Sequence, residues 1–600
     1  MTEKPQKRGR MPESALSDDL SHGERKSAQS QRWEVGLREA LAAAFVGALA
    51  VTSCCVRMGY FLDDYLQQVL VTSERLMWRP WDTFTFVPGF ERVTASYVSS
   101  GFLPWWTDPS LRISFFRPLS MMTTWFDVSV LANDAVAAHL HSIGWYLACV
   151  AGCAVVFLKT LPRPLAAIAL LVFAVSGTHF APVAWIANRN ALIATVPALG
   201  GLWAYLRWKE GWRPGRAVSV ALFGIALLGG ESALAVFLYV VAHQLSARTS
   251  LKEKWVEGLP YLWLFLAYLT FYRLALYGAA HSGEYLDPWS SPAAFAKEAL
   301  PRLGVLAMAQ FAAPVADMAL WGGAFRWGLA MGGVLVLLGV MLWAGQLIRR
   351  AADDEARALR WWFLGSLLSV FPLLSSFSSN RLLLVPSMGA SVLIAATLRE
   401  AWSRKAWVLA GLLVVLHGPL QVVSWPVQAW WWSKAIEQSR AAASGLPAST
   451  HDVPVFALTA EPATALQMMM MRRAMGLPEP LGWWVLSAVP HAHRVTRTSV
   501  TSFELETMEG TLADTMAFTL LRVRPLAPGA RVQLDGAVCE VMEVLKGRPT
   551  KLRVTFDQDP EETVRFVAWQ SGGYREVKLP SPGDSMRIER AQTPYSLQGQ

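Results

Sequence analysis

The feature that most constrains this chain is a succession of apolar blocks, most of them roughly 17–25 residues long, separated by short segments that carry most of its basic residues. A helix of that length crosses the roughly 30 Å of hydrocarbon in a bilayer. The blocks fall near 40–57, 136–158, 164–181, 190–206, 217–229, 233–247, 258–277, 325–348, 361–374, 384–398 and 406–425. They predict an all-α polytopic membrane core of about eleven transmembrane helices. Composition agrees, because 53% hydrophobic and 16% charged residues leave too little polar surface to cover a water-soluble fold of this size.

Charge gives the expected orientation. The first block follows a basic tail, residues 1–38, that is too long for the n-region of a cleaved signal peptide and has no small-residue cleavage site. Alternate loops then hold Lys159 and Arg163; Arg207, Lys209, Arg213 and Arg216; Arg248, Lys252 and Lys254; Arg349, Arg350, Arg357 and Arg360; and Arg399, Arg404 and Lys405. The positive-inside rule puts all of these with the tail in the cytoplasm. The opposite side receives a long first loop at 58–135, a second near 278–324, and everything after about 426. Trp78, Trp81, Trp105, Trp106, Phe115 and Phe116 give the first loop the aromatic amphipathic stretches of helices lying in the interface.

The core is expected to span 39–425. After it the pattern changes from long apolar runs to alternation, as in Leu552, Val554 and Phe556 and again in Val564, Phe566 and Ala568. Residues 510–592 read as a β-rich extracytoplasmic module, making the whole C-terminal region α+β or β-rich, with 593–600 a flexible tail. Residues 426–509 read as a linker with a small β-α-β piece, Val453–Thr459, a helix around Met468–Met471, and Trp483–Ser487. The four consecutive methionines read as packing.

Two function classes drop out. A net charge of +9 is spread over membrane loops and not gathered on one soluble face, so nucleic acid is not expected as a partner. Cys54, Cys55, Cys149, Cys153 and Cys539 have no zinc or disulfide spacing.

The chemistry-bearing residues cluster on the non-cytoplasmic side. Asp63 and Asp64 follow the first span, flanked by Tyr60, Phe61 and Tyr65. Adjacent carboxylates repel, so the pair needs cations, donors or a role in accepting a proton, the alternative being a helix N-cap. Arg117 sits in Phe116-Arg117-Pro118-Leu119, Arg189 follows Trp185-Ile186-Ala187-Asn188, Glu231 interrupts two short apolar runs, and Arg381 precedes an apolar run ending in Pro386-Ser387. A guanidinium fork suits phosphate, and a carboxylate at the membrane face suits a proton in transit.

In order and spacing, these motifs resemble the signature of GT-C membrane glycosyltransferases. The matching set is the Asp pair, Phe116-Arg117-Pro118-Leu119, His139 and His141, Val183-Ala184-Trp185-Ile186 with Arg189, Glu231, and Arg381 with Pro386-Ser387. The nearest branch is the tetratricopeptide-bearing protein O-mannosyltransferases. Ala181, Gly230 and Asn380 stand where those relatives carry an acid, Lys and Glu, and the repeats are replaced by the strand-rich tail.

The resemblance implies inverting transfer of a sugar from a polyprenyl-phosphate carrier in the membrane lipid to an extracytoplasmic acceptor, be it protein, lipid or glycan, in a bacterial inner membrane. It implies Asp63, with Asp64 beside it, as the catalytic base or acceptor-positioning acid, and Arg189 and Arg381 as candidates for the carrier phosphate; Arg117, His179 and Glu231 complete the expected substrate-binding residues. A divalent metal could share the phosphate charge, though no ligand set is visible and its use is left open. A transporter or flippase is the alternative, against which stands the absence of repeated halves, and an inactive GT-C-like scaffold is a third reading.

Overall fold

A computed structural model describes residues 36–72, 83–313, 315–512, 516–570 and 572–591. Most of the basic tail, Trp78 and Trp81 of the first loop, and the 593–600 tail lie outside the described residues.

Helices occupy every apolar block. They run Gly36–Cys55, Ala135–Thr160, Arg163–Val175 continuing as Gly177–Ala184, Asn190–Lys209, Gly215–Gly229, Ser232–Ser246, Leu251–Leu274, Gly323–Arg350, Asp353–Ser375, Pro386–Ser403 and Trp407–Ser444. Five are long and apolar enough to cross a bilayer: Gly36–Cys55, Ala135–Thr160, Gly323–Arg350, Asp353–Ser375 and Trp407–Ser444. The count becomes six if the pair joined at Ser176, bent by 46°, is one span. By this measure the expected eleven are not reached, because the remaining helices are shorter or less apolar. Gly215–Gly229 and Ser232–Ser246, for example, have 15 residues each, about 22 Å of rise. The chain is a multi-pass membrane protein with a mostly helical core.

One long helix, of 21 residues, has no counterpart in the apolar pattern. Pro292–Ala312 lies in the expected 278–324 loop and packs along Gly323–Arg350. Gly304 and Gly333 make the approach possible: a Cβ on Gly304 would lie 2.1 Å from the Ala330 carbonyl oxygen, and one on Gly333 would lie 1.7 Å from that of Gly304. Small residues let helix backbones touch in this way.

The bundle has two distinct ends. At one, ion pairs Lys159–Glu210, Lys209–Glu257 and Arg399–Glu355 tie helix termini together. The other end carries Asp63, Asn190 and Pro386, the first residues of their helices, and is covered by loops. There, Thr85–Pro88, Arg112–Ser114 and Gly278–Ala280 form a three-stranded antiparallel sheet that joins the first long loop to the second.

Two further sheets form the C-terminal region. Six antiparallel strands run in the order Ser585–Ile588, His493–Arg497, Ser502–Thr507, Arg548–Phe556, Ala537–Leu545, Arg531–Leu534. Strand alternation works as expected here, with Leu552, Val554 and Phe556 buried on one face. The other sheet orders Gly573–Glu576, Arg565–Gln570, Pro454–Thr459 and Gly482–Val485, the last three parallel, with helix Thr464–Ala474 connecting the final two. Strands from 454–507 and from 531–588 are thus interleaved in both sheets.

This region grips the loops. The Trp105 indole N–H donates to the Leu486 carbonyl at 3.2 Å, the Trp484 indole to Ser99 at 2.9 Å, and the Gly283 amide to Thr519 at 2.8 Å. Gly101 has φ +75°, and a Cβ there would lie 2.7 Å from the Trp483 carbonyl oxygen, so both its backbone and its contact require glycine.

Candidate functional site

Under these loops lies a cavity of about 160 Å³, bordered by Asp63 and Gln67 of helix Asp63–Thr72, by Phe84, Phe86, Phe115 and Arg117 of the first loop, and by Trp185, Asn188, Glu231, Tyr285 and Arg381. Adjacent Asp63 and Asp64 have separate surroundings. Asp64 is 2% exposed, and its two oxygens accept the Phe61 amide at 2.8 Å and the Ala187 amide at 2.7 Å. It therefore staples the start of its helix to the 3-10 turn Ile186–Arg189. Asp63 is half-buried, borders the cavity, and makes no hydrogen bond or ion pair with any described residue.

Burial pushes the Asp63 carboxyl up to about 6, against the pull of the Arg381 and Arg117 charges. Burial pushes Asp64 up to about 8, opposed by the two backbone N–H groups it accepts. Asp63 is thereby a carboxylate that can both hold and lose a proton near neutral pH.

The two cavity arginines are pre-oriented by aromatic faces. Arg117 precedes Pro118, which starts helix Pro118–Ser129, and its guanidinium lies 4.5 Å from the Phe115 ring centre and 5.0 Å from that of Phe84. Its Nε donates to Glu231 at 2.8 Å, and the other Glu231 oxygen accepts the Tyr272 hydroxyl at 2.7 Å. Arg381 lies 4.5 Å from the Phe377 ring centre and 5.7 Å from that of Trp185, and donates to Tyr285 at 3.3 Å and Ser376 at 3.2 Å. Its turn, Asn380–Leu383, is pinned by Asp317, which accepts from the Ser379 hydroxyl at 2.6 Å and the Asn380 amide at 2.9 Å. The Asn380 side-chain oxygen in turn accepts the Ala316 amide at 2.8 Å.

Arg189 and His179 lie apart from this cavity. Arg189 is 1% exposed, pairs with Asp127, and donates to the Ala138 carbonyl at 3.2 Å and Ser142 at 3.3 Å. Asp127 also takes His141 Nδ1 at 2.7 Å, and Trp145 donates to the other ring nitrogen at 3.0 Å. His179 is buried between the Tyr146 hydroxyl at 3.0 Å and Ser387 at 2.7 Å, while His139 meets the Gly59 carbonyl at 3.0 Å. Of the residues singled out in the sequence, the fold therefore gathers Asp63, Arg117, Glu231 and Arg381 at one cavity.

Sequence reasoning missed Gln67, Asn188, Tyr285 and Asp127. Asp127 had a signal, being the one charge in its apolar helix Pro118–Ser129. Gln67 had a weaker one, lying four residues after Asp63 on the same helix face. Tyr285, on a loop, had none.

Among the described residues, no group of three or more His, Cys, Asp or Glu is placed to hold a metal ion. In the cavity Glu231 is already shared by Arg117 and Tyr272, and Asp63 faces two guanidinium groups. The two guanidinium groups make this a donor set suited to an anion.

No family model and no curated protein matches the chain. Solved structures that align with it include the oligosaccharyltransferase AglB from Archaeoglobus fulgidus in complex with an inhibitory peptide and a dolichol-phosphate, at 10% identity and a TM-score of 0.42, covering 74% of this chain and 64% of that one. The apo form of an Archaeoglobus fulgidus oligosaccharyltransferase aligns at 9% identity and a TM-score of 0.43, over 72% of this chain and 64% of that one. ArnT from Cupriavidus metallidurans bound to undecaprenyl phosphate aligns at 12% identity and a TM-score of 0.36, over 74% of this chain and 85% of that one. These neighbours are GT-C membrane glycosyltransferases. The chain thus spans just under two thirds of the length of the oligosaccharyltransferases.

Proposed function

We propose that this chain is a GT-C-type glycosyltransferase, of the O-mannosyltransferase-like branch, that moves a sugar from a polyprenyl-phosphate carrier to an acceptor hydroxyl. The observation that carries the reading is the cavity in which an unpartnered carboxylate, Asp63, faces Arg117 and Arg381.

The residues divide the labour of an inverting displacement. The acceptor oxygen attacks the anomeric carbon while Asp63 takes the hydroxyl proton. The bond from that carbon to the phosphate oxygen breaks, and the polyprenyl phosphate leaves with the electron pair. Arg117 and Arg381 hold the charge that develops on the departing phosphate. A proton affinity near 6 suits a base working close to neutral pH.

Around this centre, Glu231 and Tyr272 fix the Arg117 guanidinium, and Asp64 holds Asp63 in register with the turn that carries Trp185 and Asn188. The carrier enters from the membrane lipid. In this reading the cavity and the C-terminal sheets lie outside the cytoplasm, with the acceptor, protein, lipid or glycan, approaching beside the sheets that grip the cavity loops.

The test is single-turnover transfer by the purified protein in nanodiscs, from a polyprenyl-phosphate hexose labelled in the sugar to a panel of hydroxyl acceptors. Acceptor-dependent release of polyprenyl phosphate with inversion at the anomeric carbon is the expected result. Carrier movement across the bilayer with no cleavage would replace this reading by transport.

A further inference from the structure

The cavity wall carries a chemical bias that the base and the arginines leave unused. Gln67 Nε2, Trp185 Nε1, Asn188 Nδ2 and Arg381 Nε are all buried and have no hydrogen-bond partner among the described residues. All four belong to residues that border the cavity, and all four are N–H donors. A buried polar group without a partner is costly, so such groups mark where a bound molecule supplies the missing acceptor.

Arg381 carries the guanidinium assigned to the phosphate, and the other three lie on elements tied to Asp63; Trp185 touches both, its ring centre lying 5.7 Å from that guanidinium. Gln67 lies one helical turn beyond Asp63, and its oxygen already takes the Thr124 hydroxyl at 3.5 Å, which leaves the amide nitrogen as its unused side. Trp185 and Asn188 flank Ala187, whose amide is bonded to Asp64, so they are held in fixed relation to Asp63 through its neighbour. The base must sit beside the hydroxyl that attacks the anomeric carbon, so donors grouped around Asp63 face the ring and not the carrier chain.

Resting on the function proposed above, we infer that Gln67, Trp185 and Asn188 are specificity-determining residues that read the oxygens of the transferred sugar, and that the site takes a hydroxyl-bearing ring without a cationic amine. A hydroxyl has lone pairs to offer these donors, whereas an ammonium has three donors and no acceptor. An amino sugar would leave unpaired the wall donor that met its ammonium, and that ammonium would seek Asp63, the one cavity carboxylate without a partner among the described residues, occupying the base.

The experiment measures equilibrium binding in nanodiscs of three lipids: bare polyprenyl phosphate, its hexose derivative, and its protonated amino-hexose derivative. The proteins are wild type, Gln67→Met, Asn188→Ala, and Trp185→Phe, which deletes only the N–H and keeps the ring; the melting temperature of each checks folding. In wild type the hexose carrier should bind at least 10-fold more tightly than the amino-hexose carrier. Each substitution should weaken hexose-carrier binding by 5- to 50-fold while bare polyprenyl phosphate changes less than 2-fold. Equal loss for both lipids in folded Trp185→Phe would place these donors on the phosphate and overturn the inference, as would unchanged hexose binding or equal binding of the two sugars. If wild type binds none of the lipids, the glycosyltransferase reading falls, and this inference with it.

Discussion

Two clusters near the loop-covered end of the bundle are built from the same residue types and differ in one respect. In the first, Arg189 and Asp127 are paired, buried at 1% and 4% side-chain exposure, and finished by His141, Trp145, Ser142 and a backbone carbonyl. In the second, neither the Asp63 carboxylate nor the Arg381 Nε has a partner among the described residues, and both residues border a cavity. The difference teaches that a closed set of charges holds helices together, while an open set is arranged for something that binds. A buried pair need add little net stability when whole, yet breaking it strands a charge.

Substitutions can break that contrast, and the largest effect is expected at the open cluster. Asp63→Asn should lower transfer by about 10²- to 10⁴-fold, the usual share of a general base. Because the neutral amide removes a carboxylate that burial holds up at about 6, this variant should unfold no more readily than wild type at pH 7. Wild-type turnover in Asp63→Asn would remove it from the chemistry.

Arg189→Ala should do the opposite, destabilising the fold by about 3–5 kcal/mol by leaving Asp127 buried and alone. Thermal melting in detergent measures this. An unchanged melting temperature with weakened donor binding would move Arg189 into the site.

Smaller again is the change at Arg381. Arg381→Ala should weaken use of the donor by about 1.5–3 kcal/mol, the range for a hydrogen bond to a charged group. Arg381→Lys should fall between, since Lys keeps the charge and loses the fork. Steady-state kinetics against donor concentration would sharpen the assignment, and equal donor kinetics in all three proteins would place the phosphate elsewhere.

The mildest expectation is a pH profile. Asp63 must be ionised to act as base, and its folded value is raised, so kcat/KM should rise with pH through an acid limb near 6, above the ordinary carboxylate range. The same shift has the opposite sign for stability: its contribution is full below the ordinary carboxylate value and is lost as pH rises through about 6. An acid limb at 4 would mean that another group limits the rate.

Much of this fold is legible in the sequence because apolar length and strand alternation are local signals. Each apolar block is a helix, and the C-terminal alternation becomes sheet. Helix Pro292–Ala312 escaped because Pro292, Lys297, Glu298, Pro301 and Arg302 interrupt its apolar run, and what stabilises it is the distant contact between Gly304 and Gly333. The site divides in the same way. Asn188 and Arg189 are neighbours in one 3-10 turn, yet the first borders the cavity and the second turns to Asp127. Motif order brings out both arginines in Trp185–Arg189 and Asn380–Arg381, but only a partner 62 residues away decides that Arg189 is closed.

The most direct measurement maps where the carrier phosphate sits. A polyprenyl phosphate bearing a photoreactive group on its first isoprene unit would be cross-linked to the protein in nanodiscs and the modified peptides identified. The expected cross-links fall on the cavity border, Tyr285 and the 372–385 segment around Arg381, and bare polyprenyl phosphate should compete them away. Cross-links on 127–142, beside Arg189 and Asp127, with the cavity border unlabelled, would contradict the assignment of the open cluster to the donor.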